Sequence, residues 1–150
     1  MKHLLFAVGL ALATTTASAG DNGLMRKDSA LGVTETVDAM VTAMEGAGIT
    51  IFARVDHGAG AQSIGQDIGA SQLVIFGSPK VGTPAIKDDP AAGLFLPLKV
   101  LVYEDEMGGT KIVYEDPTAM LGKLGGVSDD AAYLKTMAGA LAKFTGAATP

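Results

Sequence analysis

Between Leu94 and Tyr103 the chain reads LFLPLKVLVY. Leu94, Leu96, Leu98, Val100 and Val102 fall at every second position, the period of a strand with one buried face. Pro97 gives a ladder no donor, so it belongs at the beginning of that strand or on an edge. Gly108-Gly109 predicts a hairpin that closes onto a second strand over Lys111–Glu115. An antiparallel sheet with one covered face is therefore what the rest of the chain has to build on.

The flanking segments supply that cover. Leu24 to Lys27 is a short first strand. Val33, Val37, Met40, Val41 and Met44 follow at helical spacing, stopped by Gly46 and Gly48. From Ile49 to Val55 the side chains alternate, with Phe52, Arg54 and Asp56 opposite Ile51, Ala53 and Val55. Residues 57–69 are rich in Gly and Ala, with a short helix expected around Ala61–Ile64. Gln72–Phe76 is a third strand. Loop residues 77–84 follow, then a helical turn near Ala85–Asp88. After Asp116-Pro117 comes a turn around Met120. Asp129 and Asp130 open a last helix, with Leu134, Met137, Leu141 and Phe144 as its apolar stripe. Helices and strands do not alternate regularly, so the class is α+β: an antiparallel sheet with two main helices on one face. The other face carries Phe52, Phe95, Leu101 and Tyr103. Sheet-to-sheet pairing in a homodimer would cover them, and so would the glycine-rich loops. Both arrangements stay open.

The N-terminus reads as an export signal. Met1-Lys2-His3 is positive, Leu4 to Ala13 is apolar and Ala17-Ser18-Ala19 is a small-x-small cleavage site. The apolar run is too short to span a bilayer. Cleavage after Ala19 divides the chain into a signal peptide, 1–19, and one domain, 20–150. The expected compartment is the periplasm or the exterior. No cysteine follows, so a lipid anchor, thiolate catalysis and disulfides are all excluded. The net charge is −5, which argues against nucleic acid and anionic membrane surfaces as partners.

Four motifs recur in a familiar order. They are Val55-Asp56-His57, Phe76-Gly77-Ser78-Pro79-Lys80-Val81-Gly82-Thr83, Leu96-Pro97-Leu98-Lys99 and Tyr114-Glu115-Asp116-Pro117. In this order and spacing the chain resembles the family called domain of unknown function 302, over roughly Leu24 to Leu124 and into the last helix. The resemblance implies an α+β fold of the TATA-binding-protein-like type, in the order strand, helix, four strands, helix. Ser78 departs from the asparagine that the family often has there. The resemblance implies no reaction, because the family's function is not established.

His57 is the only histidine after the expected cleavage point. Such a residue can ligate a metal or a haem iron, move a proton, or simply hydrogen-bond a loop and fix its corner. A zinc site wants three or four nitrogen or sulfur ligands, which one histidine without cysteine cannot supply. The carboxylates lack the spacing of a calcium loop. Haem needs one or two axial ligands, and His57 would pair with Met107, Met120 or the His57 of a second subunit. Gly77 and Gly82 echo a phosphate loop, but Thr83 stands where its lysine belongs. What remains is a small anion nest with Lys80 and Thr83, or a stiff turn in which the glycines take positive φ.

The leading expectation is thus an exported, homodimeric ligand-binding or accessory protein. Its pocket would be formed by Asp56, His57, Gly77, Ser78, Pro79, Lys80, Gly82 and Thr83, holding a small ligand such as haem or a metal complex. One alternative is an enzyme acting on a small periplasmic substrate, with His57 as acid or base and Lys80 holding an anion. Another is a structural dimer that docks a protein partner through the Phe52 and Tyr103 face.

Overall fold

The computed structural model describes residues 18–19 and 22–149. Of the expected signal segment only Ser18 and Ala19 lie among them; the rest lies outside the described residues. The elements in chain order are β1 (Ser18–Ala19), β2 (Leu24–Ser29), α1 (Val33–Gly46), β3 (Thr50–Asp56), α2 (His57–Gln62) and β4 (Ser71–Gly77). They continue with α3 (Pro79–Asp88), α4 (Ala92–Phe95), β5 (Leu98–Glu104), β6 (Thr110–Glu115), α5 (Pro117–Leu121) and α6 (Ala132–Gly146). The strands form one sheet in the order β1-β2-β6-β5-β4-β3, and every pairing is antiparallel. The architecture is the α+β class that the alternation required.

Strand period decides which residues meet the helices. Val74 and Phe76 of β4, Val100 and Val102 of β5, and Ile112 and Tyr114 of β6 point to the covered face and are buried. α1 lays Val37, Met40 and Met44 on that face, and α6 lays Leu134, Met137, Leu141 and Phe144 there. Phe76 meets Phe144 edge-on with ring centroids 6.0 Å apart. Such a crossing is a favourable arrangement of ring quadrupoles. A polar seam closes the layer beside β2. The Lys27 ammonium donates to Thr145 Oγ1 at 2.8 Å. Burial holds the Lys27 pKa below its ordinary value. The Ser29 hydroxyl donates to the Ala148 carbonyl near the C-terminal end of α6.

Among the described residues the opposite face has no helix. One row across it runs Val55, Leu73, Leu101, Val113 and Arg26. A second runs Ser71, Tyr103, Lys111 and Asp28, with the Lys111 ammonium on Asp28 at 2.6 Å and on Asp105 at 3.3 Å. Leu101 and Tyr103 lie on this face as expected, whereas Phe95 does not. The strand begins only at Leu98, so Phe95 belongs to α4 and packs against the core. Leu94, expected on the buried stripe, is 82% exposed. The physical reason is local: the Leu96 N–H bonds back to the Ala92 carbonyl at 3.1 Å, so a helical turn claims these residues first. The Leu96–Pro97 peptide bond is cis.

A second departure is α3. The sequence predicts a loop over residues 77–84, yet helix begins at Pro79. Ser78 is extended, with φ of −139°. Proline then suits the first helical position, where an N–H would go unused. Neither Gly77 nor Gly82 has positive φ. Pro84 sits within the helix, and the apolar side of α3 packs through the buried Ala85. The last helix begins at Ala132, so Asp129 and Asp130 precede it rather than form its first turn.

Candidate functional site

Antiparallel pairing sorts the loops to two ends of the sheet. Gly77 pairs with Thr50 at the start of β3, and Gln72 pairs with Asp56 at its end. The Gly77–Thr83 segment and His57 are therefore separated by the length of β3, about 20 Å at the usual rise per residue. The expected common pocket does not exist, because two consecutive antiparallel strands put their two connections at opposite ends.

At the Gly77 end lies a cavity of about 280 Å³. Gly77, Ser78, Pro79, Val81, Gly82, Thr83 and Ile86 form its α3 side. Leu96, Pro97 and Leu98 form the facing wall, while Phe52 and Met137 supply the remainder. Its lining is dominated by apolar side chains. Phe52 reaches it because β3 bulges between Ile51 and Ala53, so that residue falls out of the regular ladder. The wall opposite α3 is held by Lys99, whose ammonium donates to the carbonyls of Phe95 (2.9 Å) and Pro97 (3.3 Å). The Leu-Pro-Leu-Lys motif is thus a wall and its anchor. Neither glycine is forced by crowding: a Cβ on Gly77 would stand 3.5 Å from Pro97 Cβ, and one on Gly82 3.7 Å from Leu96 Cδ1, both ordinary contact distances.

An anion nest is not formed. The N–H groups of Val81 and Gly82 both donate to the Ser78 carbonyl at 3.0 Å, the first bonds of the helix. Lys80 stands on the other flank of α3, in a shallow depression shared with Pro79, Thr83, Pro84, Lys87 and Asp88. The Tyr133 hydroxyl donates to Asp88 at 2.9 Å. Desolvation, and after it that carboxylate, raise the Tyr133 pKa.

At the far end, the Asp56 carboxylate accepts from the Ala59 N–H at 2.8 Å and caps α2. His57 is the first residue of that helix and is exposed. A polar depression nearby is lined by Thr34, Asp56, Gln62, Asp67, Ser71 and Gln72 among others, without His57. Met120, one expected haem partner, is buried in α5 at the opposite end of the sheet. Among the described residues no three His, Cys, Asp or Glu side chains gather into a metal site. Five expected residues therefore share a site (Gly77, Ser78, Pro79, Gly82 and Thr83), Lys80 borders it, and Asp56 and His57 lie elsewhere. Ile86, Leu96 and Met137 join the site without having been expected there, although Leu96 belongs to the Leu-Pro-Leu-Lys motif. Met137 reads there only as core stripe, and no local pattern marks Ile86.

The family described as "Domain of unknown function DUF302" matches residues 25–144. The chain belongs to this family. A crystal structure titled as an uncharacterized conserved protein DUF302 from Bacillus stearothermophilus has the same fold, with a TM-score of 0.72 and 21% identity over 84% of this chain and 98% of that one. The family membership and this likeness agree with the resemblance carried by the sequence motifs. The chain is also 38% identical over 101 residues to a protein of Brucella suis named fluoride-specific ion channel FluC 1. That match covers 67% of this chain and 40% of the relative. The protein of the same name from Brucella abortus is 38% identical over the same length, which is 37% of its own. The chain thus spans less than half the length of these curated relatives. No helix among the described residues is long and apolar enough to cross a membrane.

Proposed function

We propose that this DUF302 protein is an exported small-ligand-binding or accessory protein, and that its ligand site is the cavity between α3 and the Leu96–Leu98 wall. The observation that carries this reading is the cavity itself. At about 280 Å³ it is close to the lower bound of small-molecule sites, and it is mostly apolar with a few polar groups at its rim. Acid–base catalysis by His57 with Lys80 loses support from the geometry, which sets the two side chains at opposite ends of the sheet, and Met120 lies too far from His57 to share a haem with it. The exported location rests on the N-terminal sequence pattern. Homodimer formation, and equally docking of a protein partner, rests on the uncovered aliphatic row Val55–Leu73–Leu101–Val113.

The test is native mass spectrometry of protein purified from its host without added ligand, followed by an amide NMR titration with whatever is released. Retained mass and shifts centred on Phe52, Gly82 and Leu96 are expected. Shifts centred on His57 instead would refute the site.

A second reading comes from the Brucella proteins. The matched portion is the smaller part of proteins named as fluoride channels, so this domain would work beside an anion channel as an accessory. Deleting the gene should then sensitise cells to fluoride; unchanged growth across a fluoride series would end this reading.

A further inference from the structure

We propose that the ligand is a free medium-chain anionic amphiphile, a carboxylate on an apolar tail of about eight to ten carbons. This deepens the pocket reading and rests on it. The argument comes from the two flanks of α3. One flank, with Gly82 and Ile86, faces the apolar cavity. The other carries Lys80 and Lys87, two helical turns apart and so on the same side of a helix. Pro79 and Thr83 line both depressions, so the apolar cavity and the cationic groove meet along the first turns of α3.

The charges are arranged for an outside anion. Among the described residues, the ion pairs join Arg54 to Asp38, and Lys111 to Asp28 and Asp105. Neither Lys80 nor Lys87 takes part in one. Asp88 lies at the same groove, but the Tyr133 hydroxyl occupies one of its oxygens. On a chain of net charge −5, the two ammonium groups outnumber the one carboxylate that lines the groove with them, Asp88. The helix start adds its own partial positive charge to the same turn. The cavity, about 280 Å³, sets the tail. A water-sized group takes roughly 30 Å³, so about nine such groups fit. A tail of that length would lie along Phe52, Leu96 and Met137 while its head emerged past Thr83 towards Lys80.

The experiment is calorimetric titration of the full chain with decanoate and, separately, with decanol. Wild type is expected to bind decanoate about tenfold more tightly than decanol, with the difference shrinking as salt is added. The Lys80→Gln/Lys87→Gln double variant should weaken decanoate about three- to tenfold and leave decanol unchanged, as two exposed charge contacts would. Gly82→Leu should abolish both. Equal binding of the two probes, unaffected by the lysine change but lost in Gly82→Leu, would overturn the anionic head and leave the pocket reading standing. Failure of both probes to bind wild type, or binding that survives Gly82→Leu, would overturn the pocket as their site and the inference with it. Co-sedimentation with phosphatidylglycerol vesicles tests the other source of an anionic head. Vesicle retention that the lysine change removes would assign the site to a lipid surface and overturn the free amphiphile.

Discussion

Filling the cavity should stabilise the protein. Gly82 lies in α3 with φ outside the left-handed region, and a Cβ there would meet only Leu96 Cδ1, at an ordinary 3.7 Å. Gly82→Leu therefore introduces no backbone strain. Replacing glycine in a helix by a good helix former gains about 0.8–1 kcal/mol. The leucine side chain then enters a partly open apolar cavity. Full burial would be worth ~1.5–3 kcal/mol, and half of that, about 1 kcal/mol, is reasonable here. The sum is about 2 kcal/mol. In urea, with a slope of ~2 kcal/mol per M for a domain of this size, the midpoint should rise by about 1 M at unchanged slope. The melting temperature should rise by about 4–8 °C. Equilibrium urea unfolding followed by circular dichroism measures this directly. A midpoint that falls would mean that the space is not free for a side chain. Both the cavity argument and the site built on it would then be wrong. A gain in stability with loss of ligand binding is the expected exchange when a chain keeps a cavity for function.

Three further outcomes test other parts of the structure. Burial lowers the Lys27 pKa, so the unfolded chain binds that proton more tightly and this residue's own contribution to stability should rise as pH climbs towards 10.5. Tyr114, Tyr133 and Lys111, with raised pKa values, act the opposite way, so the measure is the difference between wild type and Lys27→Met, which should shift in favour of wild type between urea melts at neutral pH and near 10.5. His57 lies at an exposed helix start far from the cavity. His57→Ala should therefore change stability by no more than about 0.5 kcal/mol and leave pocket binding intact; a lost ligand would restore His57 to the site. Leu101→Glu, in the middle of the uncovered aliphatic row, should convert a dimer to monomers in native mass spectrometry, and a monomeric wild type at micromolar concentration would remove the dimer from consideration.

The sheet and its two main helices could be read from the sequence because periodicity reports burial directly. Val100 and Val102 alternate and are buried; Val37, Met40 and Met44 recur at helical spacing and are buried. The site was harder, for two reasons. The first is that Gly77 and His57 sit in connections flanking one strand, and only the direction of pairing tells that such connections lie at opposite sheet ends. The second is that Pro79-Lys80-Val81-Gly82-Thr83-Pro84 carries glycine and two prolines, which read as a turn. Yet Pro79 occupies the first helical position, where the N–H has no acceptor within the helix, and packing through Ala85 outweighs local propensity. Phe95 failed for a similar reason: alternation in LFLPL is shared by a strand and by a helical turn that happens to end at proline.

The cavity's place in the fold is itself an argument for function. β5 and β6 are adjacent and antiparallel, and residues 105–109 join them by a tight turn that Asp105 holds through the Met107 and Gly109 N–H groups. β4 and β5 are equally adjacent and antiparallel, yet residues 78–97 join them through two helices. Antiparallel neighbours need as few as two connecting residues, so the sheet does not require this segment. The core takes part of it, through Ala85 and Ala92 with Val81, Phe95 and Leu96 packed against it, while Ile86 remains 39% and Leu94 82% exposed. Lys99 nevertheless commits its ammonium to two carbonyls of the same segment, fixing the wall rather than meeting solvent or a carboxylate. The connection between β3 and β4, residues 57–70, is also long, but the carboxylates at its start and within it accept from its own backbone: Asp56, the last residue of β3, from Ala59, and Asp67 from Gly69. That connection borders a polar depression, whereas the β4–β5 connection is held around an apolar space with a lysine-bearing groove on its other flank. A ligand site is the physical account that covers all of these features of the β4–β5 connection together.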